Sequence, residues 1–212
     1  MFKAMLLALA TLLCSAMAAK AHPHVWVVVK SQIIFDGAGK VAAIRHEWTF
    51  DDMYSAFVTA GLGKDGQDPT PEDLAPIAQT NVESLKEFGY FTVSRIGGKP
   101  AVWGEPKDYS LRYNPLDQSV TLIFTLPFQT PVPSRTFVFQ IYDPSYFVAF
   151  AFDKGTSVEL SGAPPGCSLS VIKPRALDAD ETKALDESFF SGLSPGSDFG
   201  IKLADKAIVA CP

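Results

Sequence analysis

The chain has 212 residues, with 18 Lys and Arg against 23 Asp and Glu, and a formal net charge of −5. This acidic balance disfavours nucleic acids and anionic membrane surfaces as partners, because both are bound through basic patches. The length is sufficient for one domain with an ordinary hydrophobic core, or for two small domains at most.

The first 21 residues have the pattern of an export signal. Met1-Phe2-Lys3 gives a positively charged start, and an apolar run over residues 4–13 follows. This run is too short to span a bilayer, which takes about 20 residues. Both Ala18 and Ala21 end a small-x-small cleavage motif. We therefore predict a signal peptide over residues 1–21, a single periplasmic α+β domain over residues 22–212 and no direct membrane anchor.

Two of the three histidines lie just after this predicted cleavage site. Cleavage after Ala21 would give His22 a free α-amine beside its imidazole, and His24 would add a second imidazole two residues later. Neutral nitrogen donors favour Cu, Ni, Co and Zn over Mg and Ca. Cleavage after Ala18 would instead remove the amine from the site. The pair is otherwise no more than a frayed N-terminus.

The mature chain would be more acidic than the precursor. The signal contains Lys3 and Lys20 and no acidic residue, so its removal changes the formal charge from −5 to −7. A negative protein is compatible with attracting cations.

Two segments rich in β-branched residues, 24–35 and 41–50, flank the turn sequence Asp-Gly-Ala-Gly-Lys at residues 36–40. This pattern predicts an antiparallel β-hairpin. A turn centred near Ala38 would place Trp26 opposite Phe50, with both rings in the core beside Trp48. It would also bring His24 to the open end of the hairpin, next to Asp51.

The same register separates the third histidine from the other two. His46 would lie opposite Lys30, about 20 Å along the strand from the level of His24. We therefore predict that His46 is a structural or surface residue and not a metal ligand.

Helices and short strands follow the hairpin. A first helix begins at Asp51-Asp52 and ends at Gly61 or Gly63, and a second begins at Pro71 and ends at Gly89. Strands are predicted over residues 90–96, 100–103, 109–113, 120–128, 136–142, 146–152 and 168–173, and a late helix over residues 178–190. The predicted fold class is α+β, with a mainly antiparallel β-sheet, two early helices covering it and one late helix.

Two aspartates are candidates to complete a metal site. Asp51 lies at a helix N-terminus, where it is either a simple N-cap or a carboxylate ligand. Asp143 follows an interior strand and would reach the histidines if that strand lay beside the hairpin. Since a carboxylate near a ligating histidine commonly fixes its tautomer, either residue could orient a ligand instead of binding the metal.

Cysteine usage indicates an oxidising compartment. Cys14 leaves with the signal, so the mature chain keeps Cys167 and Cys211. An even number of cysteines in an exported protein predicts one disulfide. A metal-thiolate role is the alternative interpretation.

Four motifs together resemble the DUF1007 family of periplasmic proteins. They are residues 22–26 (His-Pro-His-Val-Trp), residues 48–51 (Trp-Thr-Phe-Asp) followed by Tyr54-Ser55, residues 142–147 (Tyr-Asp-Pro-Ser-Tyr-Phe) and residues 162–167 (Gly-Ala-Pro-Pro-Gly-Cys). The resemblance runs from His22 to Cys211. It implies a periplasmic component of an ABC-type transport system, associated with nickel and cobalt permeases. Many members carry an acidic, calcium-like loop, from which this chain departs at residues 62–67.

These observations predict an exported, non-enzymatic protein that binds a divalent transition metal ion, Ni, Co, Zn or Cu. His22 and His24 would be the primary ligands, and the partner would be an inner-membrane metal permease or ABC transporter. Three alternatives stay open: a solute-binding protein with an apolar cleft lined by Tyr142, Tyr146 and Phe147, a copper oxidase with a histidine brace, and a purely structural envelope protein.

Overall fold

The computed structural model describes residues 23–63, 66–96, 99–155, 157–185, 187–192 and 198–212. The predicted signal peptide over residues 1–21 and the predicted ligand His22 lie outside the described residues. None of the helices within the described ranges has the length and apolarity needed to cross a membrane.

The described chain begins with the predicted hairpin, formed by β1 (Val25–Phe35) and β2 (Val41–Phe50). Asp36 holds the turn, because its Oδ1 accepts hydrogen bonds from the backbone N–H groups of Ala38 and Lys40 at 2.9 and 2.8 Å. Gly39 adopts φ +73° in this turn, a conformation that residues with a side chain rarely take. The predicted turn at residues 36–40 is therefore confirmed.

The register of the hairpin differs from the predicted one by one residue. Phe35 pairs with Val41 beside the turn as predicted, but an irregularity follows between Ile34 and Phe35, and beyond it Val27 pairs with Phe50. The extra residue is Ala42 of β2, and such a bulge moves the later side chains of that strand to the other face. Trp26 therefore does not share a face with Trp48 and Phe50; it is 52% exposed, so its predicted place in the core is wrong.

Two β-sheets contain the strands of the described residues. Their strands are β3 (Thr92–Ile96), β4 (Lys99–Pro100), β5 (Lys107–Tyr113), β6 (Val120–Val132), β7 (Thr136–Ile141), β8 (Val148–Phe152), β9 (Val158–Ser161), β10 (Ser168–Ile172) and β11 (Lys206–Ala210), together with β1 and β2. The first sheet has the order β5-β6-β2-β1-β8, with β9 also paired to β1, and the second has the order β10-β11-β7-β3-β4. Only β8 and β9 run parallel to their partner, β1, among the described strand pairs.

Both early helices lie against the first sheet. α1 (Asp52–Thr59) is joined to β6 because the Ser55 hydroxyl accepts a hydrogen bond from Val120 N–H at 3.1 Å. α2 (Pro71–Leu85) packs against β5 and begins with a capping box between Thr70 and Asp73. A 3-10 turn, Lys86–Phe91, continues α2 towards β3.

The late helix is shorter than predicted and divided into two. Asp178 begins α3 (Ala179–Ala184) with a capping box to Glu181, as an N-cap aspartate should. Leu185 then leaves the helical conformation, and α4 (Glu187–Ser191) follows. A 3-10 turn, Phe199–Leu203, leads into β11.

The core lies between the two sheets and combines aliphatic side chains with a set of packed aromatic rings. Phe139 of the second sheet meets Phe152 of the first with ring centroids 5.9 Å apart, and Trp48 packs edge-on against Phe124 at 4.9 Å. Burying a side chain of this size contributes about 1.5–3 kcal/mol. The fold is α+β with mainly antiparallel sheets, which confirms the predicted class.

Cys167 and Cys211 form the predicted disulfide. They flank the pairing of β10 with β11, which begins with Ser168 opposite Ala210. The bond therefore fastens the C-terminal strand to the edge strand of the second sheet.

Candidate functional site

One end of the first sheet brings together the start of β1, the end of β2 and the start of β8. The backbone N–H of His24 donates to the carbonyl oxygen of Phe147 at 2.9 Å, and that of Val25 donates to the same oxygen at 3.3 Å. The imidazole of His24 lies against the ring of Phe147, with centroids 4.6 Å apart. Backbone and side chain thus both hold His24 at this end of the sheet.

Asp51 directly follows β2 at the open end of the hairpin. It lies opposite Trp26, which is two residues from His24. Its Oδ2 accepts a hydrogen bond from Trp26 N–H at 2.6 Å, and its Oδ1 accepts one from Tyr54 N–H at 2.8 Å. The second bond is the N-cap of α1. Since an ionised carboxylate has about four acceptor positions, each oxygen keeps a lone pair. Asp51 is therefore an N-cap whose carboxylate can still accept another contact.

Asp143 is more fully occupied. The residue is 7% exposed and forms the turn before β8, where its Oδ1 accepts from the N–H and the hydroxyl of Ser145 at 2.9 and 2.8 Å. Its Oδ2 accepts from Val148 N–H at 3.0 Å. Because β8 pairs with β1, this turn does reach the sheet end that holds His24. Its carboxylate is occupied by hydrogen bonds that stabilise the turn.

No three His, Cys, Asp or Glu side chains within the described ranges lie close enough together to hold a metal ion. His24, Asp51 and Asp143 are therefore brought to one end of the sheet without forming a three-residue group. Any group that includes His22 lies outside those ranges.

His46 is wholly buried and connects the two sheets, so it is structural and not a surface residue. Its Nε2 lies 3.4 Å from the hydroxyl oxygen of Thr92 on β3, and its Nδ1 lies 2.9 Å from that of Ser31 on β1. Since the Thr92 hydroxyl already donates to the carbonyl oxygen of Tyr90 at 2.8 Å, it accepts from His46, and Ser31 donates to Nδ1. This assigns the neutral Nε2–H tautomer. Burial lowers the pKa of His46 from 6.5 to about 3.

Beside the predicted metal residues lies an aromatic cavity that sequence reasoning missed. It has a volume of about 230 Å³ and lies between the first sheet and α2. Rings form much of its wall, namely those of Trp48, Phe50, Tyr54, Phe91, Phe147 and Phe150. Phe147 thus belongs both to this cavity and to the contact that holds His24.

Two polar atoms of residues that line this cavity are buried without a hydrogen-bond partner among the described residues. They are Nε1 of Trp48 and Nδ2 of Asn81. By contrast, Nε1 of Trp103 donates to the carbonyl oxygen of Thr92 at 2.8 Å. A buried donor without an acceptor costs about 1–3 kcal/mol, and most native proteins avoid it. The cavity therefore joins apolar walls to two unpaired donors.

One signal in the sequence could have indicated this feature. The apolar face predicted for the second helix contains Leu74, Ile77, Ala78 and Leu85, and Asn81 falls on the same face. A polar side chain on the buried face of a helix needs a hydrogen-bond partner. Where the neighbouring sequence is apolar, such a residue indicates a candidate binding site. The strand residue Trp48 gave no such indication, because a buried tryptophan is ordinary.

The apolar cleft considered for a solute-binding protein is only partly the one observed. Of its three predicted residues, Phe147 lines the aromatic cavity, whereas Tyr142 and Tyr146 do not. The hydroxyl of Tyr142 donates to Asp198 at 3.2 Å, and burial, reinforced by the Asp198 charge, raises the pKa of Tyr142 to about 12. The Tyr146 ring packs against Phe190. These two tyrosines attach the C-terminal segment to the end of β7 and to the turn before β8.

Comparison with known proteins places the chain in a family. The family model described as "Protein of unknown function (DUF1007)" matches residues 7–211. An uncharacterized protein of Haemophilus influenzae is 24% identical over 195 residues, which cover 90% of this chain and 91% of that protein. The match extends over both sheets and over the site at the start of β1, and it confirms the resemblance read from the motifs. The chain therefore belongs to the DUF1007 family.

Proposed function

We propose that this protein is exported to the periplasm, where it binds one divalent transition metal ion and delivers it to an inner-membrane permease or ABC transporter. His22 and His24 are the primary ligands in this proposal. Ni, Co, Zn and Cu are the candidate metals, because imidazole nitrogen suits all four. The proposed role is binding and delivery, not catalysis.

The observation that carries the proposal is the anchoring of His24 to Phe147. A histidine in a frayed terminus would lose much conformational entropy on binding a metal. Here the backbone N–H bond of 2.9 Å and the ring contact of 4.6 Å have already fixed His24. Since consecutive Cα atoms are 3.8 Å apart, covalent connectivity keeps His22 within about 7.6 Å of it. One of the two proposed ligands is therefore held in place before a metal binds.

The carboxylates at the same sheet end support this arrangement. Asp51 retains a lone pair on each oxygen, so it is proposed either to bind the metal or to accept the N–H of a ligating imidazole. Asp143 is the less available candidate, because its oxygens already accept three hydrogen bonds. The acidic net charge of the chain also favours the attraction of cations.

The periplasmic location is supported by the disulfide between Cys167 and Cys211. Disulfides form and persist in oxidising compartments such as the bacterial periplasm and are rare in the cytosol. The amino-terminal export pattern over residues 1–21 points to the same compartment.

The test uses protein exported with its own leader and purified from the periplasm. Intact-mass measurement, with and without added metal, gives the cleavage site and the metal stoichiometry together. Calorimetric titration with Ni, Co, Zn and Cu should then show one tight site, which the double variant His22→Ala, His24→Ala loses. His46→Gln is the matched control, because its amide keeps a donor near the position of Nε2. If the double variant binds as tightly as the unmodified protein, these histidines are not the site.

A further inference from the structure

We propose that the aromatic cavity is a binding site for a small, neutral, single-ring molecule that carries a hydrogen-bond-accepting oxygen, such as an aryl ketone or aldehyde. This inference concerns an organic ligand and does not depend on metal binding. It rests on the volume of the cavity, the chemistry of its walls and the two unpartnered donors.

The volume limits the size of the ligand. The cavity measures about 230 Å³. An engineered apolar cavity of about 150 Å³ binds benzene, and sites for drug-sized molecules begin near 300 Å³. The cavity therefore fits one ring with a short substituent.

The walls favour a flat and uncharged molecule. The ring centroids of Trp48 and Phe150 are 4.9 Å apart, those of Phe91 and Phe150 are 5.4 Å apart, and Phe50 stacks on Tyr54 at 4.3 Å. Aromatic rings prefer to meet other rings edge-on or offset, which a bound ring can satisfy. None of the described lining residues is charged. Since an unpaired charge is expensive to bury, the ligand is neutral.

The unpartnered donors specify the polar group of the ligand. An indole N–H can only donate, so Trp48 Nε1 requires an acceptor. The Asn81 amide lies beside the Tyr54 hydroxyl and lowers the pKa of Tyr54 against the larger effect of burial, but its Nδ2 forms no hydrogen bond of normal geometry within the described residues. An amide group has two hydrogens, so at least one is left for a ligand. A carbonyl oxygen has two lone pairs and can accept from such donors. A purely structural cavity would be more stable with apolar side chains of similar shape at both positions.

The cavity is accessible from the surface. Two of its lining residues, Phe88 and Phe147, are 58% and 47% exposed. A ligand can therefore enter without the opening of the core. Because the Phe147 ring also contacts His24, the entrance lies next to that residue.

The experiment follows the tryptophan indole N–H resonances of metal-free protein in EDTA by two-dimensional ¹H–¹⁵N NMR. The chain has Trp26, Trp48 and Trp103, assigned by replacing each with Phe. Titration with acetophenone should shift the Trp48 resonance downfield and saturate. The Trp103 resonance should stay fixed, because its N–H already donates to the carbonyl oxygen of Thr92. α-Methylstyrene has the same shape without the oxygen and should bind about tenfold more weakly, as expected for the loss of a hydrogen bond.

A pair of variants separates the donor from the shape of the cavity. Asn81→Leu should weaken acetophenone binding about three- to tenfold and leave α-methylstyrene binding within about twofold, because it removes one donor and little volume. Gln79→Leu, at an exposed position of the same helix, should leave the affinities of both ligands unchanged. Unchanged binding of α-methylstyrene would show that Asn81→Leu keeps the fold and the shape of the cavity.

Three outcomes would overturn the proposal. The first is the absence of a saturable Trp48 shift up to the solubility limit of acetophenone. The second is equal affinity for acetophenone and α-methylstyrene. The third is a Trp48 shift that depends on protein concentration without any ligand, which would show that a second copy of the chain occupies the cavity.

Discussion

Trp26 and Asp51 are joined by two hydrogen bonds at the open end of the β1–β2 hairpin. Trp26 N–H donates to Asp51 Oδ2 at 2.6 Å, and Asp51 N–H donates to the Trp26 carbonyl oxygen at 3.0 Å. The other carboxylate oxygen caps α1 through Tyr54 N–H. The Asp51 side chain thus connects the start of β1 to the start of α1.

Asp51→Ala should lower the free energy of unfolding by about 2–3 kcal/mol. Loss of an N-cap costs about 1 kcal/mol, and loss of the acceptor for Trp26 N–H adds about 1–2 kcal/mol. Asp51→Asn keeps a single acceptor oxygen and should lie between. Urea denaturation of the purified variants measures these differences. The matched control, Asp52→Ala at an exposed neighbouring position, should cost no more than about 1 kcal/mol. Equal effects of Asp51→Ala and Asp52→Ala would contradict the bridging role.

His46 should make the stability of the protein depend on pH. Its pKa is about 3 in the folded protein because of burial, against 6.5 when unfolded. Below pH 6.5 the unfolded chain binds a proton that the folded chain does not, so stability falls as the pH falls. The loss approaches about 1.4 kcal/mol per pH unit and ends near pH 3.

The measurement compares urea unfolding of the unmodified protein and His46→Gln between pH 7.5 and 4. The variant lacks the titrating group, so the difference in stability between the two proteins should shrink towards acid pH. Carboxylates that titrate near pH 4 act equally on both proteins and cancel in the comparison. Parallel stability curves would show that His46 takes up its proton over the same pH range in the folded and unfolded states, which would contradict the lowered pKa.

The sequence predicted the first hairpin well but not its register. Alternating β-branched residues and the Asp36 turn fixed the two strands, and the pairing beside the turn, Phe35 with Val41, was correct. The bulge that follows has no sequence signature here, because Ala42 is as ordinary as its neighbours. That one extra residue separates the faces of the two strands: Trp26 of β1 lies in solvent, whereas His46 and Trp48 of β2 lie in the core.

Long-range pairing explains the other differences. β9 (Val158–Ser161) and β11 (Lys206–Ala210) were not predicted, since each is short and gains its partners from distant strands. The positions of His24 and Asp51 at one hairpin end followed from local pattern. The aromatic cavity did not, because Trp48, Asn81 and Phe150 come from three separate elements.

Gly200 should be intolerant of substitution because it lies against the turn that contains Asp143. A Cβ added at Gly200 would overlap the backbone carbonyl oxygen of Asp143, and the Gly200 N–H donates to the Pro144 carbonyl oxygen at 3.2 Å. Gly200→Ala should therefore lower the free energy of unfolding by about 1–3 kcal/mol, the usual cost of overpacking.

Thermal denaturation measures this loss, with Gly37→Ala as the control. A Cβ at Gly37 meets no atom within 4 Å, so this variant should change stability by less than about 1 kcal/mol. If Gly200→Ala is as stable as Gly37→Ala, the close approach of the two segments does not exist in solution.

Phe147 should influence metal affinity without touching the metal, because it holds His24. Phe147→Leu keeps the backbone bond to His24 but removes the ring contact of 4.6 Å, a type of contact worth about 0.5–1.5 kcal/mol. We therefore expect the affinity for Ni, Co, Zn or Cu to fall about two- to tenfold, measured by calorimetry at constant pH. Phe88→Leu is the matched control, since Phe88 also lines the cavity but stacks on Phe91 instead. A loss of metal affinity in Phe147→Leu alone would support the anchoring of His24. An equal loss in both variants would show that the effect comes from the cavity. No loss in either variant would show that the contact with Phe147 does not contribute to metal binding.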